Sequence, residues 1–385
     1  MKSVFLYGYW RHNLGDDLFL QCFLNRFPDV HVYLLTKSKY YDVYASSQVT
    51  PICDDAFIYR VRNFISKKLF HKRLISRNIL SLCDATIFLG GSLFMEVDDW
   101  RGYMKSIFDE LVKYSSKCYV LGSNFGPCYT DDFYDYCKKF IGKMEAAAFR
   151  DKTSAQKFPG SRLVADVAFQ LLASDNKLNT ASETHSCKAI TPEASTANKK
   201  HISSDKYCII SVLDPEKRIG TSGLGSSYEK AVIDIAKALP ADQRIILMTS
   251  CNELGDTQIA QTLCTKMQEE SITASTYIYD DLEAALCLIK NASAMVATHF
   301  HTMLLALIYQ IPVMAILYNE KMQNVLEDLS LSQLGVPMAK LEDLESHQLA
   351  KDFISNNYQL SDEQRETLTE LASHFYDDLL FLDEI

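Results

Sequence analysis

The chain has 385 residues, 48% of them hydrophobic, a formal net charge of −10 at pH 7 and 11 cysteines. That length predicts two domains at ~100–200 residues each, and the acidic balance excludes a general nucleic-acid binder while leaving room for a local basic patch. The cysteines are scattered from Cys22 to Cys287 with no CxxC pair, which argues against a disulfide framework or zinc ribbon and for a reducing, cytoplasmic setting.

The start, MKSVFLYGYWRHN, does not read as a signal peptide, because its apolar run is short, is broken by Gly8 and leads into Arg11. Val4–Tyr7 is predicted as a first strand, Asp16–Arg26 as a helix and Val30–Leu35 as the next strand. Arg60–Arg77 is strongly basic with Phe64, Leu69, Phe70, Leu74 and Ile75 interleaved. It suits either a solvated helix face or an amphipathic helix lying on an anionic membrane surface or meeting a pyrophosphate-linked substrate. Thr86–Leu89, Cys118–Leu121, Ala146–Phe149 and Leu163–Ala165 are further strands. From Ser174 to Lys206 the chain turns to Ser, Thr, Ala, Asn and Lys, a composition that does not offset its own ordering entropy. The rhythm then resumes with strands at Tyr207–Leu213, Arg244–Met248, Ser275–Ile278, Ala294–Ala297 and Val313–Leu317. The helices between them are Tyr228–Ala238, Asp256–Gln268, Leu282–Lys290 and Thr302–Tyr309, and Asp362–Phe381 is a last amphipathic helix. The most apolar window, Met303–Tyr318, contains Gln310 and Pro312 and falls short of the about 20 residues a membrane span needs. Alternating strands and helices predict an α/β chain of two Rossmann-like domains in a GT-B-type arrangement with a cleft between them. The expected limits are 1–173, a polar linker over 174–206, a second domain over 207–361, and a C-terminal helix, 362–385, crossing back to the first.

In open α/β sheets ligands sit beyond the carboxyl ends of strands, so the strand-end loops hold the candidate site. Gly8-Tyr9-Trp10-Arg11-His12-Asn13-Leu14-Gly15-Asp16-Asp17 follows the first strand. It is not GxGxxG, Asp16 is a natural helix cap, and Asp17 is placed to act as a base or to accept a sugar hydroxyl. Gly90-Gly91-Ser92 and Gly122-Ser123-Asn124-Phe125-Gly126-Pro127 are turns suited to an anion or a polyhydroxyl ligand, or simply to turning the chain. In Phe149-Arg150-Asp151-Lys152-Thr153-Ser154 a structural Arg150–Asp151 pair is expected. Met248-Thr249-Ser250-Cys251-Asn252-Glu253-Leu254-Gly255-Asp256 ends another strand, where Cys251 reads as an inert buried thiol. His299 and His301 flank Phe300 where an apolar segment becomes a helix. Extended backbone would put both rings on one side, but no acidic or cysteine partner sits at a supporting spacing, so no metal is expected.

Together, GYWRHNLGDD, FLGGSLF, LGSNFGP, FRDKTS, ADVAFQLL, MTSCNELGD and THFHTMLLALIYQIPVMAILYNEKMQNVLEDL resemble the polysaccharide pyruvyl transferase family, in the family's order and over nearly the whole chain except Ser174–Lys206. The resemblance implies a GT-B-like fold and transfer of an enolpyruvyl-derived group from phosphoenolpyruvate to a sugar of a bacterial glycan, forming a ketal. It also implies a sugar or lipid-linked oligosaccharide acceptor and no cofactor beyond the phosphoenolpyruvate donor; the acidic charge speaks against nucleic acid, the cysteines for the cytoplasm, and the basic stretch 60–77 for peripheral contact with the inner face of the plasma membrane. His301 falls on the histidine of the family's Arg-x-His motif. On this basis His301 and Asp17 are the expected catalytic residues, with His299, His301, Arg218 and Lys321 at the donor, and Arg11, Asn13, Asp16, Asp17, Gly90, Gly91 and Ser92 at the acceptor. Two positions depart from the family: His299 stands for the motif's arginine, and Leu213 stands where a cation is expected, with Lys217 and Arg218 close behind it. An imidazole holds phosphate less well than a guanidinium. Two alternatives therefore stay open: a GT-B-type glycosyltransferase using a nucleotide-activated sugar, and a non-catalytic sugar-binding relative.

Overall fold

The computed structural model of the chain describes residues 1–55, 77–172, 206–219, 223–240, 242–251, 253–343 and 359–384. The chain divides into two compact units, Met1–Gln170 with Leu368–Ile385, and Leu171–Thr367. The basic stretch 60–77, save the backbone of Arg77, and the polar segment 174–206, save Lys206, lie outside the described residues.

The first unit is built on a seven-stranded sheet: β1 (Ser3–Tyr7), β2 (His31–Thr36), β3 (Val49–Cys53), β4 (Ala85–Leu89), β5 (Cys118–Ser123), β6 (Ala146–Phe149) and β7 (Arg162–Leu163), in the order β3-β2-β1-β4-β5-β6-β7. Every pairing is parallel. Helices cover both faces of such a sheet, so central strands are apolar throughout; β4 and β5 are buried along their whole length. β3 was not foreseen. It carries Pro51, which the sheet tolerates because β3 is an edge strand. β7 is shorter and earlier than the predicted Leu163–Ala165.

The end of the sequence completes this unit. Phe375 packs on Phe19, Tyr376 stands edge-on to Phe23 and Phe27, and Asp383 takes both guanidinium nitrogens of Arg26 at 2.7 and 2.5 Å. The single helix predicted over Asp362–Phe381 is corrected: an α-helix runs Asp362–Ser373 and a 3-10 helix Asp377–Leu382. Consecutive Phe375 and Tyr376 are both buried. An α-helix points neighbouring side chains about 100° apart, so the chain leaves the helix to bury both. Leu379 and Leu382, buried at a spacing of three, fit the tighter coil.

The second unit repeats the pattern with β8 (Tyr207–Ser211), β9 (Arg244–Met248), β10 (Ala274–Tyr277), β11 (Ala294–Ala297), β12 (Val313–Leu317) and β13 (Gly335–Pro337), all parallel in the order β10-β9-β8-β11-β12-β13. Residues of β8, β9 and β11 and the helix Leu224–Ala238 form its core. Both sheets reverse their winding once, between β1 and β4 and between β8 and β11. These are the switch points beyond which α/β sheets bind ligands.

Candidate functional site

At the switch point of the second unit, Ser211 joins the two central strands. Its hydroxyl accepts from the amides of Thr298 (3.0 Å) and His299 (3.3 Å) and bonds Thr302 (2.9 Å). His299 is the residue before the helix Phe300–Ile308, with extended backbone (φ −99°, ψ 146°) and no capping bond from its side chain. Its ring turns instead to Asp256, with Nε2 3.2 Å from Oδ2. Asp256 opens the helix Asp256–Glu269, preceded by Gly255 in the left-handed region (φ 85°). One carboxylate oxygen accepts the Asp214 amide (3.1 Å), and the other accepts Nη2 of Arg218 (2.6 Å). Arg218 comes from the short helix Pro215–Ile219 just past β8. Leu213 is fully buried in the core, so Arg218 is the residue that brings a cation to this strand end.

The electrostatics follow from burial and partners. Burial alone would raise the proton affinity of Asp256, but the hydrogen bond from His299 and the charge and hydrogen bond of Arg218 outweigh it and hold its pKa below the usual carboxylate value. Burial pushes His299 down, Asp256 opposes, and the positive charges of Arg218 and Lys321 push the same way as burial. The neutral ring then donates from Nε2 to Asp256, a tautomer assigned from its partner. His299 Nδ1 and Arg218 Nε are buried and have no hydrogen-bond partner among the described residues. Buried polar atoms are normally paired, so this corner offers one acceptor and one charged donor to a ligand.

The condition under which His299 and His301 would share a side, an extended His299-Phe300-His301, is not met. Helix begins at Phe300, so the two rings do not share a strand face: His299 is buried against Asp256, while His301 is half-buried and stands edge-on to Phe300 at 5.1 Å. Lys321 Nζ lies over the Phe300 ring, 5.5 Å from its centroid. Lys217 pairs with Asp214 at 3.4 Å. Cys251 is buried, and burial pushes its thiol pKa up, which makes it a poor nucleophile.

At the switch point of the first unit, the helix Leu14–Arg26 is capped by Asn13, whose side chain accepts from the Gly15 amide (3.0 Å). This corrects the expected capping by Asp16. The helix starts two residues earlier and Asp16 is buried in its first turn. Gly90 (φ 76°) and Gly91 (φ 53°) turn the chain after β4. A Cβ at Gly90 would stand 2.9 Å from the Phe19 ring, and one at Gly91 3.3 Å from Asp16 Oδ1. Ser92 donates to Asn124 Oδ1 (3.0 Å), and the same oxygen accepts from Arg150 (2.8 Å). Arg150 pairs with Asp166 (2.7 Å), both nearly inaccessible, instead of the expected Asp151, which caps the helix Lys152–Lys157. Arg11 lies over the ring of Tyr9 at 4.8 Å. Asp17 accepts the hydroxyl of Tyr44 (2.7 Å) and approaches His12 Nδ1 at 3.3 Å.

The structure therefore gathers His299, Arg218 and Lys321 at one switch point, with His301 on the adjoining turn, and Asn13, Asp16, Asp17 and the Gly90–Ser92 turn at the other. Sequence reasoning passed over Asp256 and Tyr44. Asp256 had a signal, an acid at a helix start after a strand end; Tyr44 had none. Among the described residues no three His, Cys, Asp or Glu side chains converge as a metal site, and no helix is long and apolar enough to cross a membrane.

Comparison with curated proteins returns no match. Among solved structures, the UDP-GlcNAc 2-epimerase of Neisseria meningitidis bound to UDP-GlcNAc has a TM-score of 0.61 at 9% identity, covering 99% of this chain and 100% of that one. MnaA of S. aureus with UDP scores 0.57 at 11% identity, covering 100% and 98%. The UDP-GlcNAc 2-epimerase of Methanocaldococcus jannaschii scores 0.53 at 9%, covering 97% and 100%. At these identities the likeness shows the fold alone: two Rossmann-like domains of the GT-B type. The family model for polysaccharide pyruvyl transferase matches residues 13–320, and the chain belongs to that family of transferases.

Proposed function

We propose that this chain moves the enolpyruvyl-derived group of phosphoenolpyruvate onto a sugar of a bacterial surface glycan or its lipid-linked precursor, forming a pyruvate ketal. The supporting observation is the second unit's switch point, where Arg218 keeps a buried Nε–H without a partner among the described residues beside a buried, neutral His299, within reach of the charge of Lys321. A phosphate or carboxylate oxygen is the natural partner for that donor. The donor substrate carries both groups, and His301 on the adjoining turn is assigned to the departing phosphate or to proton transfer at the enol carbon. The acceptor is assigned to Arg11, Asn13, Asp16, Asp17 and the Gly90–Ser92 turn of the first unit. A lipid-linked acceptor would be met at the membrane surface, which suits the basic stretch Arg60–Arg77.

One observation favours a second reading. Asp256 already neutralises Arg218, so the corner holds less positive charge than a tri-anionic donor calls for, and a nucleotide-activated sugar is the competing donor. Melting the protein with phosphoenolpyruvate and, separately, with UDP-GlcNAc decides between them. A rise with phosphoenolpyruvate, and release of inorganic phosphate when a glycan acceptor is added, is the expected result. A rise with the nucleotide sugar alone would replace this reading with the second.

A further inference from the structure

Two nitrogens at the second unit's switch point have opposite hydrogen-bond character, and one carboxylate oxygen sets both. Asp256 Oδ2 accepts from Arg218 Nη2 (2.6 Å) and lies 3.2 Å from His299 Nε2. Arg218 Nε–H is left as a donor, since a guanidinium does not lose its proton. His299 Nδ1 is left as an acceptor, because the other tautomer would turn the Nε2 lone pair on the carboxylate. Neither nitrogen has a hydrogen-bond partner among the described residues. The two side chains are 16% and 8% exposed, so both reach the surface while the nitrogens themselves lie out of solvent. A polar atom in such a place bears its desolvation cost until a ligand pairs with it.

A phosphate stripped of protons satisfies only half of this pair. Its oxygens accept from Arg218, but they offer nothing to Nδ1 and bring full negative charge toward Asp256. Resting on the donor reading above, we propose that His299 selects a phosphate group that keeps one proton: Arg218 Nε–H donates to one phosphate oxygen, and the P–O–H of another donates to His299 Nδ1. Phosphoenolpyruvate then binds with one negative charge fewer. That meets the shortage of positive charge that Asp256 creates by neutralising Arg218. Lys321, whose charge the His299 ring feels, offsets part of the rest. The last proton of a phosphate monoester leaves at about pH 6, and burial holds His299 below its ordinary value of 6.5. At neutral pH neither partner carries the shared proton before they meet, so binding takes one up from water and no covalent bond of the donor changes. The other titratable and charged groups around the ring are Asp256, Arg218, Lys321 and, on its own helix, His301. Cys251, Tyr318 and Tyr228 stand within electrostatic reach of Arg218 or Asp256.

Calorimetric titration with phosphoenolpyruvate reads the proton directly. Above about pH 7, Kd in the unaltered protein should weaken about three- to tenfold per pH unit, and heats compared between buffers should show uptake of about one proton. His299→Arg supplies donors and no acceptor, so its Kd should be flat over the same range with no proton taken up. Inorganic phosphate and sulfate separate the proton from the charge. At about pH 8 both are dianions of one shape and only phosphate keeps a proton, so phosphate should protect the unaltered protein against melting at a concentration about tenfold or more below that of sulfate. His299→Arg should erase that difference; should this variant fail to fold, the comparison in the unaltered protein decides alone. Phosphoenolpyruvate binding indifferent to pH, proton uptake that persists in His299→Arg, or equal protection by phosphate and sulfate, including none by either, overturns the proposal. Failure of the donor reading shows separately, as no heat with phosphoenolpyruvate at any pH, and the comparison of phosphate with sulfate then still decides whether His299 reads a proton.

Discussion

Replacing Asp256 by asparagine keeps the shape of the side chain and removes the charge on which Arg218 and His299 converge. Asp256 is fully buried and Arg218 keeps 16% of its side chain exposed. Breaking a buried pair from one side costs about 3–5 kcal/mol, because the surviving charge is left uncompensated. The solvent that reaches Arg218 moves the expectation to the lower end, about 3 kcal/mol. For a unit the size of Leu171–Thr367, that corresponds to a fall of roughly 6–12 °C in Tm. Calorimetry resolves it, and a second variant separates charge from packing: Asp256→Asn with Arg218→Met removes both charges and should recover most of the loss, since a buried pair replaced by uncharged groups is close to neutral. A single variant that melts within about 1 °C of the parent, or a double variant that loses the sum of the two singles, would refute the reasoning that Asp256 is held in place by those two partners.

The remaining expectations concern turns and pH. Gly90→Ala should destabilise by about 2–4 kcal/mol in denaturant unfolding, from left-handed backbone strain plus the clash with Phe19. Gly160→Ala, equally left-handed but with open space around it, should lose only the backbone share, about 1–2 kcal/mol; equal losses would remove Phe19 from the explanation. His299 is held below its ordinary pKa of 6.5, so the unfolded chain binds its proton first as pH falls. Stability is therefore complete above that value and declines beneath it. Melting followed from about pH 7 to about pH 5 should show this decline in the parent, and His299→Gln should flatten it; an unchanged slope would assign the acid sensitivity elsewhere.

Much of the fold was legible because its signals are local. Arg244–Met248, Ala294–Ala297 and Val313–Leu317 are short apolar runs between turns, and the helix Leu282–Lys290 follows the capping aspartate Asp281; such patterns survive almost any tertiary context. β3 escaped because Pro51 reads as a breaker and its tolerance depends on an edge position that no local pattern reveals. β13, three residues long, carries no period at all. Residue types at the strand ends were legible too, since polar and glycine-rich segments after apolar runs mark where a doubly wound sheet presents its loops.

The amino-acid order by itself pointed to two doubly wound sheets, the strand-end loops where a ligand is expected, and the family. Tertiary structure decided which side chains meet there. Asp256 joins Arg218 and His299 from 38 and 43 positions away, Tyr44 reaches Asp17 across 27, and Arg150 chooses Asp166 over its neighbour Asp151. The physical reason is that periodicity and capping act within a few residues, whereas the partner of a buried charge is set by strand order, which places β8 between β9 and β11 and so brings Asp256, which follows β9, to Arg218 and His299.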